Sequence, residues 1–115
     1  MQFTNDQITE MQQQLAVAAF RTLIRLAVSR DPIIDCESNA RSVLTEYTCA
    51  NGSKIKDWEL NGIRGIFVDR VLEFCECTNI PIYRHQLCPT KNMAIRWLEF
   101  EHRQIADKKI PIKAN

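Results

Sequence analysis

The chain has 115 residues, of which 45% are hydrophobic and 25% charged, proportions that fit one globular domain and argue against a disordered chain or a fibrous repeat. Fifteen Lys and Arg against 14 Asp and Glu leave a net charge of +1, so no global field draws the protein toward nucleic acid or anionic lipid and any basic face is local. Five cysteines at irregular spacing suit reduced thiols in the cytoplasm better than a secreted disulfide framework.

MQFTNDQITEMQ opens the chain with no basic stretch ahead of an apolar run, so neither a signal peptide nor a membrane anchor is expected. Thr4 and Gln7 stand at capping-box spacing, and Phe3 before the cap is placed to staple onto Ile8, which together fix a helix start. Ile8, Met11, Leu15, Ala18 or Ala19, and Leu23 form one apolar stripe, and Val17, Phe20, Ile24 and Ala27 a second. The helix is therefore amphipathic at first and mostly buried later. Arg21, Arg25 and Arg30 fall late in it, where positive charge complements the helix dipole.

Asp31 and Pro32 interrupt this pattern, because proline lacks an N–H and pushes its predecessor out of the helical region. A second helix is expected over about 36–50, with the stripe Cys36, Ala40, Val43 with Leu44, and Tyr47. Asn51 and Gly52 read as its left-handed stop. From Asp57 to about Cys77 the sequence is apolar on nearly every side, with Leu60, Ile63, Phe67, Val71 and Phe74 in one row and Ile66, Val68, Leu72 and Cys75 beside it. It reads as the central core helix. Gly62 and Gly65 within it either allow a close backbone approach or mark its true start near Asn61.

IPIYRHQL then reads as extended, and the tail repeats its first triplet as Ile110, Pro111 and Ile112. Two such pieces are placed to pair as a short two-stranded ribbon with prolines at the edges. Between them Thr90 caps a last helix running to about Asp107, with Ala94, Trp97, Leu98 and Ile105 inward and Glu99 and Arg103 as a surface pair. The expected fold class is mainly α: a compact bundle of about four helices, with that ribbon, in a single helical domain spanning residues 1–115.

No nucleophile elbow, HExxH or phosphate loop occurs, and Glu99 and Glu101 point apart on a helix, so no enzyme activity and no cofactor are expected. The reading that follows is a small cytosolic interaction protein of the inhibitor, immunity, chaperone or adaptor type, binding a protein partner or itself without touching a membrane. Its candidate anchors are Trp58, Tyr83, Arg84 and Trp97, residue types that dominate interface energetics.

An alternative starts from GSKIKDWELNG, residues 52 to 62. As a short helix it would turn Ile55, Trp58 and Gly62 to the core and Ser53, Lys54, Lys56, Asp57 and Asn61 outward, the face a recognition helix presents to bases and phosphates. With the preceding helix it resembles the second and third helices of phage-repressor-type domains, although Asn51, Ser53 and Trp58 depart from that pattern. The resemblance implies a helix-turn-helix DNA-binding regulator, acting as a homodimer, with Ser53, Lys54, Lys56, Asn61 and Arg64 as nucleic-acid-binding candidates. Charge adds little: six basic and seven acidic residues precede the cut after Asp57, and nine basic and seven acidic follow it. Gly62-Ile63-Arg64-Gly65 also resembles the two-glycine loop of RNA-binding KH domains, with Glu59, Leu60 and Asn61 departing from the apolar approach to that loop.

Cys75, Cys77, His85 and Cys88 contain the atoms of a tetrahedral zinc site. On one helix Cys75 and Cys77 point to nearly opposite sides, so they share a metal only if the helix ends by Glu76.

Overall fold

The computed structural model describes residues 2–30, 33–63 and 65–113, with side chains through Ile105. Among the described residues the chain is mainly helical and contains no strand. Six helices follow one another: α1 (Asn5–Arg30), α2 (Glu37–Thr48), α3 (Gly52–Asn61), α4 (Gly65–Cys77), α5 (Arg84–Leu87) and α6 (Lys91–Lys113). None is long and apolar enough to cross a membrane.

The start of α1 is held as its sequence dictates. Gln7 N–H donates to Thr4 Oγ1 at 3.1 Å, and Thr4 N–H donates to Gln7 Oε1 at 2.8 Å, a reciprocal capping box. Phe20, Leu23, Ile24 and Ala27 are fully buried in its second half. They join Leu44, Ile55, Trp58, Val68, Val71, Phe74 and Leu87 in one core cluster, each large member contributing about 1.5–3 kcal/mol of burial.

Two breaks differ from the sequence reading. First, α2 stops at Cys49, which adopts the left-handed conformation at φ 58° and donates its N–H to Thr45 O at 2.9 Å. Asn51 is not a helix stop but the N-cap of α3, its side-chain oxygen accepting from Lys54 N–H at 2.9 Å. The connection is only Cys49, Ala50 and Asn51, and the Thr48 hydroxyl, donating to Leu44 O at 2.7 Å and accepting from Ala50 N–H at 3.3 Å, ties it down.

Second, the core helix expected from Asp57, or from near Asn61 if the glycines mark its start, begins at Gly65, and the residues from Asp57 to Asn61 belong to α3. Gly62, at φ 89°, ends α3 by donating its N–H to Trp58 O at 2.9 Å, and α4 begins at Gly65. The break resets the helical phase. Leu60 and Ile66, expected inside, are 67% and 83% exposed, while Ile63, Val68, Val71, Phe74 and Cys75 stay buried. Cys36 is likewise exposed, because it caps α2 rather than joining its stripe.

Asn79 at φ 58° ends α4 in a Schellman turn: Ile80 N–H donates to Cys75 O at 2.8 Å and Asn79 N–H to Glu76 O at 3.4 Å. Ile80 and Ile82 then bury their side chains in the core cluster. The chain turns immediately into α5, where Tyr83 N–H donates to the Gln86 side chain at 2.8 Å. The ribbon does not form. Its second triplet, Ile110-Pro111-Ile112, lies inside α6, which runs on past Asp107 and shares no edge with the first.

Candidate functional site

Thr90 starts α6 as expected, accepting Met93 N–H on its hydroxyl at 3.2 Å and Ala94 N–H on its carbonyl at 3.1 Å. The helix packs along α1, buries Ala94 and half-buries Leu98. From Glu99 through Ile105 every residue is exposed. Trp97 and Ile105, inward by the sequence reading, are 46% and 59% exposed, because among the described residues no other helix covers this side.

Trp97 meets Phe100 edge to face, with ring centroids 5.6 Å apart. The two rings, with Arg96 and Arg103, line a shallow cleft of about 290 Å³. Positions 96, 100 and 103 are one and two turns apart, so they share a helix face with the ring at 97 beside them. Among the described residues neither arginine has an ion pair, and the expected Glu99–Arg103 pair does not form. Sequence reading finds Trp97 but misses Arg96, Phe100 and Arg103. The signal is their spacing, masked when Trp97 is treated as a core position.

The remaining interface candidates separate. Trp58 is only 1% exposed, packed against Phe20 at 5.9 Å and Phe67 at 5.0 Å between ring centroids, so it is a core residue and offers no surface. Tyr83 is 58% exposed and stacks on His85, while Arg84 pairs with Asp69. These sit at α5, apart in sequence from the α6 cleft.

GSKIKDWELNG is a helix with the expected inner face: Ile55, Trp58 and Gly62 are buried. Ser53, Lys54, Lys56 and Asn61 are exposed, and Asp57 is half-buried. Two of the outward candidates already have partners. The Lys54 ammonium lies over the Phe67 ring, 5.1 Å from its centroid, and Asn61 donates to Asp57 Oδ1 at 2.7 Å. Arg64 lies outside the described residues. Lys56 instead shares a cleft of about 590 Å³ with Arg21, Arg25, Glu37, Glu59 and Leu60. Its wall is built by Glu59, which accepts two hydrogen bonds from Arg41, at 2.8 and 3.0 Å, and whose main-chain oxygen accepts from Arg21 Nε at 3.0 Å. The Glu59 hydrogen bonds hold the Arg41 guanidinium above its usual pKa. Arg21 and Arg25, read as dipole complements, therefore line the same cleft as the α3 lysine.

Among the described residues the four zinc candidates do not converge on one point. The α4 helix extends through Cys77, so Cys75 faces the core while Cys77 faces solvent, and His85 and Cys88 are exposed elsewhere. Among the described residues no group of three His, Cys, Asp or Glu is placed to hold a metal ion. Burial pushes the Cys75 thiol up to about 12, the opposite of what thiolate ligation requires. The KH resemblance also lacks its setting, since Gly62 and Gly65 bound a joint between two helices with no strand formed among the described residues.

No protein-family model, no curated protein and no solved structure matches the chain.

Proposed function

We propose that the protein is a non-enzymatic, cytosolic interaction module that binds a protein partner, or a second copy of itself, through the outward face of α6. One observation carries this reading: Trp97 and Phe100, nearly half exposed and in mutual contact, line a cleft with two arginines that have no carboxylate partner among the described residues. Rigid aromatics beside Arg are the residues that anchor interfaces, and a lone core-facing tryptophan would not be left in water in this way. An inhibitor, an immunity protein, a chaperone or an adaptor would each use such a face. The test is a photo-crosslinking amino acid placed at position 97 and, separately, at position 53. Adducts from 97 and none from 53 are the expected result, and adducts from 53 alone overturn it.

A second reading is a helix-turn-helix DNA-binding regulator. It is favoured by the three-residue turn between α2 and α3 and by the three cations, Lys56 of α3 with Arg21 and Arg25 of α1, that line one cleft together with Glu37 and Glu59. Lys54→Glu with Lys56→Glu would then abolish duplex binding at low salt while leaving the helical content unchanged. Unchanged affinity removes that recognition helix.

A further inference from the structure

This inference rests on the reading of α6 as the contact face and names what the face takes. We propose that its occupant is an acidic segment of another protein, one that inserts an apolar side chain against Trp97 and Phe100 and sets carboxylates on Arg96 and Arg103.

Charge and spacing select the occupant. Arg96 and Arg103 are seven residues apart, about 10 Å along the helix, and bracket Phe100 on the same side. Both guanidiniums project beside an apolar surface without an ion pair among the described residues, although Glu99 and Glu101 stand on the same helix. A guanidinium offers a planar fork that suits a carboxylate, and its weak hydration makes it cheap to bring against aromatic rings. An occupant that covers the rings also drives water from the arginines. Carboxylates then offset that desolvation, whereas a neutral or basic occupant leaves two cations poorly solvated.

A second copy fits less well. A twofold contact presents the same stripe from both sides, and an antiparallel crossing centred on Phe100 brings Arg96 of one copy beside Arg103 of the other. Like charges would meet at the seam.

The experiment is selection of random dodecapeptides, displayed on phage, against the whole chain. The expected winners carry Asp or Glu flanking Leu, Phe or Trp, and their affinity falls with added salt. Arg96→Glu with Arg103→Glu should weaken a selected acidic peptide by about tenfold or more and switch selection toward Lys-rich peptides. Both positions are on the surface of α6, so the folded helix content is expected to stay constant by circular dichroism. Winners without acidic bias, no enrichment at all, or a charge reversal without effect each overturn the proposal. A mass that doubles with concentration and is restored to one chain by Trp97→Ser with Phe100→Ser also overturns it, while leaving α6 as the contact face. Failure of position 97 to crosslink to anything removes both readings together.

Discussion

Gly62, at the end of α3, lies so close to the middle of α1 that a Cβ on it would stand 3.2 Å from the Cβ of Ala16. Its backbone, at φ 89° and ψ 157°, occupies a region that side chains rarely enter. The glycine thus serves two needs at one point: it turns the chain out of α3 and lets that end seat on α1. Gly62→Ala should lower stability by about 1–3 kcal/mol. Gly52, at the start of α3, has open space where a Cβ would stand, with no neighbouring atom within 4 Å, and Gly52→Ala should leave stability unchanged or raise it by up to about 1 kcal/mol. Urea midpoints for the two variants decide this, and equal midpoints would refute the close approach.

The two tryptophans should respond unequally. Trp58 is packed between Phe20 and Phe67, so Trp58→Ala should cost about 3–5 kcal/mol through lost burial and an unfilled cavity. Trp97→Ala removes a ring that is 46% exposed and should cost far less, about 1 kcal/mol. If the Trp97 change proves as damaging as the Trp58 one, then α6 is held by that ring and its face is not free for a partner. Denaturation of both variants by circular dichroism makes the comparison.

Cys75 predicts a pH dependence with a definite sign. Its thiol stays protonated in the fold up to about 12, while in the unfolded chain it ionises near 9.0. Above 9.0 the unfolded state therefore holds fewer protons than the native state, and stability falls as pH rises toward about 12, at a limiting slope of ~1.4 kcal/mol per pH unit. Well below 9.0 this group contributes no slope. Cys75→Ala should remove its share of the alkaline loss. A thiol reagent gives a second readout: Cys36, Cys49, Cys77 and Cys88 are exposed and should react in the native protein, with Cys75 reacting only on unfolding. Five equally fast thiols would contradict its burial.

Helix content is legible in the sequence because it rests on local signals. The Thr4 and Thr90 caps and the stripe ending in Phe20, Ile24 and Ala27 need no distant partner to be read. What is not legible is phase. Leu60 through Phe74 keeps helical spacing across Gly62, so a continuous helix and two helices with a joint share one pattern until Ala16 is known to press on the joint. The same holds for the candidate site. Helical spacing already turns Trp58 to the core, where Phe20 and Phe67 enclose it, yet only tertiary packing decides that Trp97, turned inward by the same kind of spacing, has no described helix over it. The α5 turn escapes sequence reading because IPIYRHQL looks extended until Gln86 closes back on Tyr83.

Asn51 offers the sharpest test of where α2 ends and α3 begins, since the dipeptide Asn51-Gly52 reads as a stop and acts as a start. A helix stop at this position would hold Asn51 or Gly52 in the left-handed region, and Asn51→Gly would then stabilise the protein. In the structure Asn51 is extended, at φ −86° and ψ 171°, and its side chain accepts the Lys54 N–H at 2.9 Å. Asn51→Ala should therefore cost about 1 kcal/mol, because an amide hydrogen at the helix start loses its acceptor, and Asn51→Gly should lose only a few tenths. Asn51→Asp keeps the acceptor and adds a negative charge at the positive end of the α3 dipole, so it should match or exceed the parent. The order Asp at or above Asn, then Gly, then Ala, measured by urea midpoint, identifies an N-cap. Gly above Asn would instead place the left-handed stop at Asn51 and dissolve the three-residue turn on which the DNA-binding reading depends.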